Sequence, residues 1–248
     1  MSEKSAHSRL RSGTPHGPDP KERSYHASKW IETNLQRFMI SLSARAGIDL
    51  MTRLPRFARL DDYFPCLCRI VAQTSGLHPD TVRAAGRAVF PTSRARKDRP
   101  RFTPILQQGQ VVGIYDDNTT PTWALLWSHG IAGGSRAGWA FAHVWTVSDD
   151  IKSYTHPANL AMLPECLASL TDKSGPLTAY LRWHAWTAYG WKPEHAAQPE
   201  MPTGYSDLEW RYFTKFDAPN AFIAQRITEL DNQRVPLLRP IMQKRGML

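Results

Sequence analysis

Hydrophobic residues recur at spacings of three and four between His26 and Ala46. There Trp30, Ile31, Leu35, Phe38, Met39 and Leu42 share one face, and the spacing predicts a helix. Residues 60–90 carry shorter runs of the same kind and predict two or three short helices. From residue 102 the pattern changes. "QVVGIYDDN" and "TWALLW" predict two strands parted by an Asp-Asn-Thr-Thr-Pro turn, and "GWAFAHVWTV" predicts a third. Gly130, Gly133, Gly134 and Gly138 mark a loop before that third strand. Pro164 suits the first turn of a short helix running to about Leu170. A longer helix is predicted over 176–189, with Leu177, Leu181, His184, Ala185 and Ala188 on one face and Gly190 as its C-cap. Ser206-Asp207-Leu208-Glu209 has the form of a capping box opening another helix, and a last helix is predicted over 219–232. No internal repeat is present.

These elements predict an α+β protein with a small antiparallel sheet packed by helices. Residues 1–24 are rich in Ser, Pro, Gly, Lys and Arg with no apolar face, and read as a disordered, mildly basic tail. Residues 25–92 read as a helical basic region and 93–101 as a basic linker. Residues 102–248 read as the α+β domain.

Charge adds a partner to this outline. The chain of 248 residues carries a formal net charge of +9. Residues 53–101 hold eleven basic and four acidic residues, a net of +7. Nearly all of the basic residues are arginine, which suits bidentate contacts to phosphate. An acidic partner is expected, nucleic acid and DNA in particular. Arg94, Arg96, Lys97, Arg99 and Arg101 would meet its backbone. "CRIVAQTSGLHPDTVRAAGR", residues 68–87, resembles a helix-turn-helix in which Ala72 sits at the helix crossing and Gly76 at the turn. Val82 would pack the second helix, and Arg83 and Arg87 would face the groove. An ordinary helical hairpin fits the same residues.

Three cysteines, Cys66, Cys68 and Cys166, are too few for a disulfide framework and form no CxxC pair. No apolar h-region opens the chain, and no apolar run reaches membrane-spanning length. A cytoplasmic protein with no membrane partner is expected. Seven of the nine tryptophans lie between Trp123 and Trp191, as an aromatic core around the sheet or as base-stacking platforms. Walker and Rossmann glycine patterns are absent. Gly133-Gly134-Ser135-Arg136-Ala137 misses a nucleophile elbow, with Ala137 in place of the second glycine.

The remaining chemistry centres on "GWAFAHVWTVSDDIKSYTHPANLAMLP". His143 ends a predicted strand, and Asn159 opens Asn-Leu-Ala-Met-Leu ahead of a helix. Over about residues 139–172 this pattern resembles the HNH endonucleases, also called His-Me finger or ββα-metal nucleases. The resemblance implies that His143 is a general base activating water and that Asn159 fixes the loop or orients the base. It also implies a divalent metal, Mg²⁺ or Mn²⁺, offsetting charge on the scissile phosphate. Two positions depart from the family. Ala142 stands where a metal-ligating Asp, Glu or His precedes the base, and Ala168 stands at the family's last His or Asn. Asp116, Asp117 and Asp150 are the carboxylates expected to substitute as metal ligands, with Asp149, Glu165 and Asp172 as further donors. The same residues admit a structural reading. His143 would be a core histidine bonded to a backbone carbonyl, Asn159 an Asx turn, and Asp116-Asp117 the opening of a turn. Function is thus expected in nucleic-acid binding, with an HNH-like endonuclease that is active or degenerate. The alternatives are a non-catalytic DNA-binding or regulatory protein, and a structural part of a nucleoprotein assembly.

Overall fold

A computed structural model of the chain describes residues 60–133, 137–171 and 177–248. The tail 1–24, the helix expected over 26–46 and Arg53, Arg56 and Arg59 lie outside the described residues. Asp61–Leu248 fold as one unit.

Helix α1, Leu60–Thr74, turns Leu67, Cys68, Val71 and Ala72 inward at helical spacing. Helix α2, Pro79–Ala85, starts on a proline with the His78 ring capping the Asp80 amide, and ends at Gly86 with φ 64°. Strand β1 is Thr92–Arg94, β2 Pro104–Gln107 and β3 Gln110–Asp116, in the order β1-β3-β2. β1 runs parallel to β3, with Arg94 opposite Asp116. β2 pairs antiparallel with β3 through a two-residue turn in which Gln108 and Gly109 both have positive φ, 52° and 74°.

The segment 93–101, expected as a linker, is therefore part of the fold. Ser93 is buried in β1, and Arg96 and Arg99 exchange backbone hydrogen bonds around a tight Lys97-Asp98 turn. A three-residue strand paired with residues twenty-two positions away has no periodicity of its own to reveal it.

Helix α3, Thr119–Ser128, corrects the strand expected at "TWALLW". The Asp117 carboxylate accepts from the Thr119 amide and caps the helix, and Pro121 fits its first turn. The helix is apolar on several sides because it is enclosed, with Ala124, Leu125 and Trp127 buried. An enclosed helix of this length has the same pattern as a buried strand.

Strands β4, Trp139–His143, and β5, Leu160–Pro164, form a second, antiparallel sheet with His143 opposite Leu160. The helix expected from Pro164 is a 3₁₀ segment, Glu165–Thr171. Helix α4, Thr178–Tyr189, ends as expected on Gly190 with φ 68°. The capping box expected at Ser206 makes only a 3₁₀ turn, Tyr205–Asp207. Helix α5 is Pro219–Glu229, shorter than expected, and α6, Val235–Lys244, was not foreseen.

The fold is α+β. Its core joins Val82, Phe90, Ile114, Leu125, Trp127, Leu160, Ile227 and Leu238, so α2, α3, α5 and α6 close over both sheets. Among the described residues no helix is long and apolar enough to cross a membrane.

Candidate functional site

The β4–β5 hairpin places His143 and Asn159 at the two ends of one fifteen-residue excursion, residues 144–158. Asn159 is fully buried. Its Oδ1 accepts from the Trp145 amide at 2.8 Å, and its Nδ2 donates to the Ser153 carbonyl at 2.9 Å. Its backbone carbonyl accepts from the Val144 amide at 2.9 Å. The asparagine thus ties both ends and the middle of the loop together.

The next residue in that loop, Tyr154, holds the histidine. The Tyr154 carbonyl lies 3.0 Å from His143 Nε2, and the two rings stack with centroids 5.1 Å apart at 8°. A carbonyl only accepts, so Nε2 carries the proton and Nδ1 the lone pair. Burial pulls the His143 pKa below its usual value, the Tyr154 carbonyl raises it in part, and the neighbouring Arg94 charge lowers it. The imidazole is neutral at pH 7. Nδ1 makes no hydrogen bond among the described residues.

The carboxylates expected as metal ligands are engaged elsewhere. Asp116 is fully buried, and Arg234 Nε sits 3.0 and 2.9 Å from its two oxygens. Arg234 Nη2 reaches both oxygens of Asp117 at 2.9 and 2.8 Å, and Arg101 Nη1 reaches Asp117 Oδ2 at 2.7 Å. Burial raises the Asp116 carboxyl, with the Arg234 hydrogen bonds opposing it. Burial also acts to raise Asp117, but hydrogen bonds from Thr119 and Arg101, with the Arg234 charge, hold it well below the usual carboxylate range. Asp150 accepts from the Lys152 amide at 2.9 Å and from the Ser153 hydroxyl, which closes an Asx turn inside the loop. Asp149 pairs with Arg96 at 2.8 Å.

Among the described residues no three His, Cys, Asp or Glu side chains converge as a metal site needs. A hard cation at Asp116 and Asp117 would have to displace two guanidinium groups. The ligand set expected for Mg²⁺ or Mn²⁺ does not fit.

The arginines divide into two groups. Arg83 donates to the Ala188 carbonyl at 2.9 Å and pairs with Asp80, and Arg87 donates to the Gly246 carbonyl at 2.9 Å. Their helix α2 buries Thr81, Val82 and Ala85. Gly76, expected as the turn of a helix-turn-helix, is bridged to Tyr212, and a Cβ there would strike the Arg211 carbonyl. Helix α2 packs on α3, α4 and α5, and its two arginines are engaged with the protein's own carbonyls.

The second group lies at the end of β1 and around its turn. Arg96 pairs with Asp149, Arg99 with Asp98 at 3.4 Å, and Arg101 with Asp117. Arg94 and Lys97 are exposed and make no ion pair among the described residues. Arg94 stands beside His143 and Tyr154, close enough for its charge to act on both.

The other histidines serve the core. His129 Nδ1 lies 3.2 Å from the Leu125 carbonyl while Nε2 accepts from the His78 amide at 3.2 Å. His156 caps the Ala158 amide and stacks on Trp191 at 4.5 Å. His184 stacks on Trp210 at 3.5 Å with Nδ1 2.9 Å from the Tyr205 hydroxyl. Burial pulls His129 and His156 down to about 4 and His184 to about 3.

Sequence reasoning missed Arg234 and Tyr154, the two residues that organise this region. Arg234 meets Asp116 across 118 positions, and no local pattern marks such a pair. Family models, curated proteins and solved structures give no match to this chain.

Proposed function

We propose that this protein binds nucleic acid through phosphate contacts at the Arg94–Arg101 edge. The His143–Asn159 hairpin then serves as a scaffold that keeps the form of a ββα module without its metal chemistry. One observation carries this reading. Asp116 and Asp117 are neutralised by Arg234 and Arg101, while Arg94 and Lys97 are exposed and make no ion pair among the described residues. Cations without partners on a short ordered turn attract a polyanion and release its counterions on binding. Free thiols at Cys66 and Cys68 support a reducing, cytoplasmic setting for this role.

A second reading is favoured by His143 itself. A neutral imidazole whose Nδ1 makes no hydrogen bond among the described residues, with an arginine nearby, is arranged to take a proton near a bound phosphate. Supercoiled plasmid separates the two readings. With Mg²⁺ or Mn²⁺ present, the scaffold reading expects retention in a gel shift and no nicking, with His143→Ala binding as wild type does. Nicking that EDTA and His143→Ala both abolish would establish the hydrolytic reading and overturn the scaffold one.

A further inference from the structure

Positive charge also gathers outside the arginine-rich stretch 53–101. Residues 232–248 carry Arg234, Arg239, Lys244 and Arg245 with no Asp or Glu. Arg234 is engaged by Asp116 and Asp117, and Arg239 donates to the Ile227 and Thr228 carbonyls. Lys244 and Arg245, at the end of α6, are exposed. Arg87 stands with them, since its Nη2 donates to the Gly246 carbonyl at 2.9 Å. None of these three cations makes an ion pair among the described residues. We propose that this corner is a second phosphate anchor, so that one DNA duplex spans it and the Arg94–Lys97 corner. The inference rests on the nucleic-acid reading above and gives it a footprint.

The fold sets the two corners at opposite ends of one helix. α6 follows Arg234, whose guanidinium holds Asp116 at the end of β3. It closes on Lys244, whose Nζ lies 2.9 Å from Gln110 Oε1 at the start of β3. The helix therefore runs alongside the strand in the opposite direction. Arg94 on β1 is directly opposite Asp116, and opposite residues in neighbouring strands turn their side chains to the same face of a sheet. Arg94 thus leaves the sheet on the side where α6 starts.

These ends fix the span. Ten helical residues extend about 15 Å. Strand β3 from Gln110 to Asp116 extends about 20 Å. Each strand of duplex DNA places a phosphate about every 3.4 Å along the axis, so the span corresponds to about five base pairs. A duplex is stiff over that length, and two anchors on one stiff rod engage as a single binding event.

The route between the corners carries no acid to repel a polyanion. No Asp or Glu occurs from Phe102 to Tyr115 or from Asn232 to Leu248, and Asp116 is buried against Arg234. Cations in the last turn of a helix also complement its dipole. That role accounts for Lys244 but not for Arg87, which comes from the end of α2.

The test compares the full chain with its Lys244→Ala, Arg245→Ala variant on DNA hairpins with stems of about four and about sixteen base pairs, one shorter and one longer than the span. Binding is followed by anisotropy against salt. On the long stem the variant should bind at least about tenfold more weakly, with a log–log slope shallower by about 2, near 0.9 for each lost contact. On the short stem, which reaches one corner at a time, the two proteins should share one slope and differ by no more than about twofold. Lys192→Ala, Lys215→Ala removes the same charge from the segment between α4 and α5 and should keep the wild-type slope on both stems. Equal slopes for wild type and the α6 variant on the long stem overturn the proposal and leave the Arg94 corner standing. An equal loss on both stems overturns it as well, because nothing would then span the two corners. A matching loss in the Lys192, Lys215 variant does the same, because bulk charge would account for the effect. If wild type binds neither stem even at low salt, the nucleic-acid reading fails first and the second anchor with it.

Discussion

Asn159 is the residue on which the candidate site depends most. It satisfies three backbone groups of one loop from a fully buried position. Asn159→Ala leaves the Trp145 amide and the Ser153 carbonyl unpaired, and such groups cost about 1–3 kcal/mol each when buried. Urea unfolding should show a loss of about 2–4 kcal/mol, and the Trp145 amide should exchange faster with solvent. A loss below about 0.5 kcal/mol would mean that water replaces the side chain.

Arg234 is the counterpart for Asp116. Arg234→Met removes the guanidinium from a buried carboxylate and should destabilise by about 3–5 kcal/mol, the cost of leaving one member of a buried pair. Adding Asp116→Asn should recover part of that loss, because the stranded charge goes with it. A double-mutant cycle with strictly additive effects would contradict this coupling. The sequence admitted a histidine bonded to a backbone carbonyl at His143, and the fold has that bond. Arg234 and Tyr154 were not legible, because each acts through a partner that only the tertiary fold brings near.

At the scale of elements, β3 is held by what its neighbours allow. Gly113 passes so close to Pro91 that a Cβ would strike the Pro91 carbonyl oxygen and the Ile151 side chain. Gly113→Ala should force β1 away from β3 and cost about 2 kcal/mol or more, in the range of severe backbone and packing changes. Because Arg94 is carried on β1, the same variant should also weaken DNA binding. Unchanged stability would mean that β1 yields without loss.

The helices with a one-sided apolar stripe and a glycine stop were readable, as α4 shows with Gly190. Those set by enclosure or by distant pairing were not. α3 is apolar on several sides because it is packed there. β1 is three residues long beside a basic turn. α6 contains Pro236 and Pro240, which mask its helical pattern.

For the whole molecule, three buried neutral histidines set a pH limit. His129, His156 and His184 have an ordinary value of 6.5, pulled down by burial to about 4, 4 and 3. The unfolded chain therefore binds protons that the folded chain refuses. Their stabilising effect is complete above pH 6.5 and is lost as pH falls through the folded values. Each amounts to roughly 3 kcal/mol or more at the acid end, so together they match a typical domain's stability. Thermal melts should show Tm falling steadily from pH 6.5 toward 4. His156→Gln should flatten part of that slope, whatever it does to Tm at pH 7. A Tm constant over this range would contradict the assigned burial of the imidazoles.

On the proposed reading Arg94 and Lys97, which make no ion pair among the described residues, bind nucleic-acid phosphates. The most direct measurement is DNA affinity against salt for wild type and for the Arg94→Ala, Lys97→Ala double variant. Affinity should fall linearly on a log–log plot, and the double variant should bind more weakly with a slope shallower by about 1–2. Identical slopes for the two proteins, or no binding by wild type at low salt, would contradict it.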